Sequence, residues 1–186
     1  YELTCRDWSS ACALPISDLG LQGSDLRAAE RTFQLMRQVA GRAGRSEKPG
    51  QAYLQTYQPE HPVIRAILGG EEEAFWNAEA AERQAAQVPP FGRLAAIIIS
   101  APEAERAFDL GNHLLRNAGP LHAIGAQIFG PAPAPIARVR SRFRVRMLIK
   151  AEKTAPLQRA LAQWIAPVSL KGDLRLSVDI DPQSFL

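Results

Sequence analysis

Cysteine is scarce in this 186-residue sequence: Cys5 and Cys12 are the two it has, seven residues apart. That excludes a disulfide framework and a zinc site built from four thiolates, and makes a reducing cytoplasm the expected compartment. Long apolar runs are missing too. The longest, Leu94–Ile99, falls well short of the roughly 20 residues a helix needs to cross a bilayer, so no membrane partner is expected. The opening residues lack the basic and apolar regions of a secretory signal. The histidines His61, His113 and His122 have no ligand partners at metal spacing, and no metal site is expected. What is present is ordinary for a folded chain: 46% hydrophobic and 22% charged residues, enough to build a buried core and too apolar for a disordered or fibrous chain.

The formal net charge of +3 hides an uneven distribution. Arg138, Arg140, Arg142, Arg144, Arg146 and Lys150 stand together with no acid among them, leaving sixteen basic against nineteen acidic side chains elsewhere. A strand-length concentration of one sign points to a polyanionic partner.

Residues 1–16 show no helical or strand period. From Ser24 or Asp25, either able to serve as N-cap, a long helix is expected, with Leu26, Ala29, Phe33, Met36 and Ala40 as its core stripe. Pro49 and Gly50 break it, and a strand is expected over Ala52–Tyr57. Val63–Leu68 and Glu71–Ala86 read as helices separated by Gly69 and Gly70, with Glu71, Glu72 and Glu73 matched to the helix dipole. Val88-Pro89-Pro90-Phe91-Gly92 is the clearest boundary. Beyond it the pattern predicts strands at Leu94–Ser100, Ala126–Phe129, Arg142–Lys150 and Leu174–Ile180. Helices are expected at Pro102–Asn117 and Thr154–Ile165, a βαββαβ order of ferredoxin-like type.

One constellation stands out within the first helix. Gln38, Arg42 and Arg45 are separated by four and three residues, so a carboxamide and two planar cations project from one helix face and can grip a phosphate. Gly41 and Gly44 nearby cost helix stability, which asks for a compensating gain. The segment Gln38-Val39-Ala40-Gly41-Arg42-Ala43-Gly44-Arg45 resembles motif VI of superfamily-two helicases, Q-x-x-G-R-x-G-R. With Asp18–Leu21, Gly23–Leu35, Gln55–Tyr57, Pro59–His61, Pro89–Phe91, Gly130–Ile136 and Asp179–Pro182, the resemblance narrows to the replication-restart DNA helicases and covers residues 18–186.

That resemblance implies a C-terminal fragment of an ATP-dependent 3′-to-5′ helicase that restarts stalled forks and loads the primosome. Arg42 and Arg45 would approach the γ-phosphate of ATP, Arg45 as the arginine finger and Gln38 positioning water or phosphate. ATP and Mg²⁺ would be bound mainly by the first helicase lobe. The sequence has no G-x-x-x-x-G-K-[ST] phosphate loop, so this fragment alone is expected to be inactive. The family's zinc cluster has no counterpart here, since Cys5 and Cys12 lack its spacing. Residues 1–17 depart from the family and are expected to be a foreign or frame-shifted stretch. Implied partners are branched or forked DNA, single-stranded DNA-binding protein and other primosome proteins.

The second candidate site is Arg138–Lys150, read as one strand. Val139, Phe143, Val145, Met147 and Ile149 would pack while Arg138, Arg140, Arg142, Arg144 and Arg146 form a basic face for salt-sensitive DNA binding. The expected fold is therefore α+β: residues 18–86 end a RecA-like α/β helicase lobe, and residues 87–186 form a ferredoxin-like DNA- and partner-binding domain. An alternative of a different class is a non-catalytic nucleic-acid or protein-binding module in which Gln38–Arg45 only adds positive surface.

Overall fold

Good helix formers fill α1 (Ala28–Ala40), the first element of a computed structural model that describes residues 26–40 and 54–184. The chain divides into two compact units, Tyr1–Ala80 and Ala81–Leu186. In the first, α1 buries Thr32, Phe33 and Met36. Helix α2 (Pro62–Gly69) begins where the His61 side chain accepts the Val63 N–H, with Pro62 preset for the first turn. It ends at Gly70, whose φ of +69° suits a residue without Cβ. Helix α3 (Glu72–Ala85) opens on Glu72 and Glu73.

Phe33, Val63, Ala66 and Phe75 form the small core of this unit. The Phe33 and Phe75 rings stack with centroids 4.3 Å apart, and Trp76 meets Phe33 edge-on at 5.4 Å. The Trp76 indole donates to Glu72 at 3.2 Å, so it is a packing residue with its polar edge satisfied. Two expectations are corrected here. Ala40, on the same face one turn past buried Met36, is exposed. Of the strand expected over Ala52–Tyr57, residues 52 and 53 lie outside the described residues and 54–57 form no strand: the Thr56 hydroxyl accepts the Gln58 N–H at 2.9 Å, a local bond that competes with strand pairing, and Tyr57 is 93% exposed.

The second unit holds β1 (Gly92–Ala101), α4 (Ala104–Arg116), the single turn α5 (Gly119–His122), β2 (Gln127–Val139), β3 (Arg142–Glu152), α6 (Leu157–Ile165) and β4 (Arg175–Ile180). The strands form one antiparallel sheet in the order β2-β3-β1-β4, so the molecule is α+β. Ala95, Ile97, Ile99 and Ala101 of β1 and Val145, Met147, Ile149 and Ala151 of β3 line one face. Against them pack Ala107, Leu110 and Leu114 of α4 and Leu157, Ala160, Leu161 and Trp164 of α6, each set at helical spacing. The buried Trp164 indole donates to the Leu114 carbonyl at 2.9 Å and ties the two helices together.

β2 is much longer than the expected Ala126–Phe129. It continues to Val139 through Pro131, Pro133 and Pro135, with register shifts at 129/132 and 133/138. It is an edge strand, where proline's missing N–H is tolerated and blocks a further strand from pairing. At the other edge Asp181 holds β4 to β1. Its carboxylate accepts the Leu94 N–H at 2.9 Å and Arg93 Nε at 2.8 Å, while its own N–H donates to the Leu94 carbonyl at 2.8 Å.

Candidate nucleic-acid interface

The arginine-rich stretch is a hairpin, not a single strand. β2 ends at Val139, Arg140 and Ser141 form the turn, and β3 starts at Arg142. Both turn residues have positive φ, +47° and +60°, the signature of the tight turn whose twist matches antiparallel strands. The turn reverses the alternation expected for one continuous strand. Val139 pairs with Arg142 and Arg138 with Phe143, and directly paired residues share a face. Arg138 therefore leaves the basic row for the helix-side face, its guanidinium 5.1 Å from the Phe143 ring centroid, and Val139 joins the face that was expected to be all arginine.

Arg142, Arg144 and Arg146 do lie on one face, opposite buried Val145, Met147 and Ile149. The pairing register builds that face in rows across β3, β1 and β4. Arg144, Ser100 and Arg175 form one row; Arg146, Ile98 and Ser177 the next; Leu148, Ala96 and Asp179 the third. Arg175, 31 positions from Arg144 in the sequence, thus enters the basic face, although nothing in its local sequence context marks it. Lys150, further along, donates to the Ala86 carbonyl at 3.0 Å, which brings the segment ahead of β1 against that end of the face.

Arg142 has internal partners. Its guanidinium reaches the Ser100 carbonyl at 2.9 Å and the Ser100 hydroxyl at 3.4 Å, and also donates to the Asp173 carbonyl. It pins the end of β1 to the chain entering β4. Beside it opens a groove of about 460 Å³ that Arg140, Arg144, Arg175, Ser100 and Ser177 help to line, with Ile98 as apolar floor. Among the described residues neither Arg144 nor Arg175 forms a salt bridge. Clustered guanidinium groups beside hydroxyls in a concave surface can neutralise and hydrogen-bond phosphate oxygens without reading base edges.

The other candidate site is described only at its start. Gln38 is exposed on the last turn of α1, and the neighbouring Arg37 pairs with Glu72. Arg42 and Arg45 lie outside the described residues, as do Cys5, Cys12 and residues 1–17. Among the described residues no three His, Cys, Asp or Glu side chains stand together as a metal site, and no helix is long and apolar enough to cross a membrane.

Comparison with known proteins gives this architecture a family. The replication restart protein PriA of Rickettsia conorii is 36% identical over 169 residues, which cover 91% of this chain and 26% of that protein. The Bacillus subtilis protein of the same name is 34% identical over 174 residues (89% of this chain, 21% of the relative). That of Haemophilus influenzae is 34% identical over 172 residues (92% and 24%). The chain thus spans about a quarter of the length of these relatives and corresponds to their C-terminal portion. The C-terminal domain of primosomal protein N matches residues 84–183, more than half of the sequence and nearly all of the sheet-bearing unit. The chain belongs to the primosomal protein N (PriA) C-terminal domain family.

Proposed function

We propose that this chain is the C-terminal part of an ATP-dependent 3′-to-5′ DNA helicase that restarts stalled replication forks and loads the primosome. The observation that carries the reading is the arginine-bearing sheet face, where Arg142, Arg144, Arg146 and Arg175 gather beside a groove. The relatives' name, replication restart protein, supports the same reading. Unit Ala81–Leu186 then serves as a ferredoxin-like DNA-binding domain. Its strand order and its helices packed on a single sheet face support that assignment. The first unit is then the end of the second, RecA-like helicase lobe.

In that lobe Gln38, Arg42 and Arg45 serve the nucleotide. The exposure of Gln38 suits a carboxamide that must reach a phosphate. ATP with Mg²⁺, held mainly by the first lobe, supplies the phosphoryl group. This chain supplies fixed positive charge for it, Arg45 as the finger and Arg42 beside it, an effect worth on the order of 10³ to 10⁵ in rate. The zinc of the parent family has no ligand set among the described residues, and no step is assigned to it. Partners are branched or forked DNA, single-stranded DNA-binding protein and other primosome proteins, in the cytoplasm. Alone, the chain is inactive as an ATPase.

Fluorescence anisotropy with labelled forked and single-stranded DNA tests the binding half. Affinity should fall linearly on a log–log plot against salt, with a slope of about −0.7 per phosphate neutralised on single strands and about −0.9 on duplex. Salt-independent or absent binding would sink it. For the enzymatic half, joining the N-terminal part of a relative should restore DNA-stimulated ATPase activity that Arg45→Ala removes. Turnover unchanged by that substitution would leave the chain a binding module only.

A further inference from the structure

Three strands meet at Ser100. Arg144 on β3 and Arg175 on β4 are both its direct cross-strand partners, on opposite sides. With strands spaced about 4.8 Å apart, the two arginine Cα atoms stand about 9.6 Å from each other, with the serine hydroxyl between them. Arg142 Nε lies 3.4 Å from that hydroxyl as a donor, so the hydroxyl's own proton is available to a third group. The groove over this row, about 460 Å³, is lined by Arg144, Arg175 and Ser100 together with Arg140, Arg142 and Ser177, whose hydroxyl is turned to the Ile98 carbonyl at 3.5 Å.

We propose that Arg144, Arg175 and Ser100 form a clamp for one phosphodiester group of a nucleic-acid backbone, and that Arg142 is a positioning residue that holds the clamp's geometry instead of contacting the strand. The inference rests on the DNA-binding reading above and assigns its residues. A phosphate seated over Ser100 receives charge-assisted hydrogen bonds from both sides, and the Arg142 bonds to Ser100 and Asp173 keep β1 and the entry to β4 in register beneath it. The face continues with Arg140 at the hairpin turn on one side and Arg146 in the next row on the other, with Asp179 one row beyond that on β4. The apolar floor at Ile98 has no aromatic platform, so the clamp grips backbone without stacking bases.

The test uses the 186-residue chain and a fluorescein-labelled oligonucleotide, single-stranded and forked, across a salt series. Arg144→Gln and Arg175→Gln should each weaken binding about tenfold. Each should also make the single-strand salt slope shallower, and the two together by about 0.7, the share of the one phosphate they hold. Arg175→Lys should fall between parent and Arg175→Gln, because lysine keeps charge but loses the planar fork. Arg138→Gln, on the other face, should leave affinity unchanged. Arg142→Gln should weaken binding with the slope intact, the mark of a residue that places the contacts without making one. Thermal unfolding of each variant guards against simple loss of fold, and Arg175 is exposed enough for substitution to be tolerated. If Arg144→Gln and Arg175→Gln bind like the parent while Arg140→Glu with Arg146→Glu abolishes binding, the clamp is wrong and the DNA-binding reading survives. If the parent binds neither DNA at low salt, both fall together.

Discussion

Asp181 offers the sharpest test of how the basic face is assembled, because Arg175 stands beside Ser100 only while β4 stays paired with β1. Replacing it with alanine removes three things. The acceptor of the Leu94 N–H goes, a charge-assisted bond of 2.9 Å, at about 1.5–2 kcal/mol. The Arg93 pair goes as well; with side chains 23% and 35% exposed, it is discounted to about 0.5 kcal/mol. Alanine must then hold a φ of +51°, which aspartate tolerates better, at about 1 kcal/mol. The expected loss is about 3 kcal/mol, or a fall in Tm of roughly 10–20 °C for a domain of this size. Asp181→Asn keeps the acceptor and the tolerance of positive φ, so it should cost under about 1 kcal/mol. Urea denaturation followed by circular dichroism measures both. Equal losses for the two variants, or less than about 1 kcal/mol for alanine, would refute the claim that this carboxylate clamps the strand pair.

Gly130→Ala should destabilise by about 1–3 kcal/mol in the same assay, since φ is +93° and an added Cβ would sit 2.7 Å from the Arg146 carbonyl oxygen. Ser141→Gly should act in the opposite direction, raising stability by about 0.5–1 kcal/mol, because a φ of +60° is strained for serine and free for glycine. Trp164→Phe should cost about 1–3 kcal/mol by removing the indole bond to Leu114 and part of the ring that fills the space between α4 and α6.

The sheet-bearing unit was largely legible. Leu94–Ser100, Arg142–Lys150 and Leu174–Ile180 become strands within two residues of the expected ends, and Pro102–Asn117 contains the observed Ala104–Arg116 helix. These elements declare themselves locally, through an apolar period of two or of about three and a half. The strand expected at Ala126–Phe129 is present but runs on to Val139: prolines argue against a strand except at an edge, and edge position is a property of the whole sheet that local sequence does not carry. In the described part of the strand expected over Ala52–Tyr57, residues 54–57, Thr56 bonds its own backbone neighbourhood and no strand forms. Asp181, quoted only as part of a family resemblance, turns out to bridge β4 and β1.

The arginine cluster itself was plain from composition, and so was the alternation within β3 that sets Arg142, Arg144 and Arg146 against buried Val145, Met147 and Ile149. Which arginines share a face was decided elsewhere. A turn at Arg140 and Ser141 sends Arg138 to the Phe143 side, backbone hydrogen bonds engage Arg142, and sheet order brings Arg175 level with Arg144 across Ser100. Alternation along one strand is a local consequence of the pleat. Pairing between strands is settled by burial and hydrogen bonding over long sequence separations, and only the folded sheet contains that information.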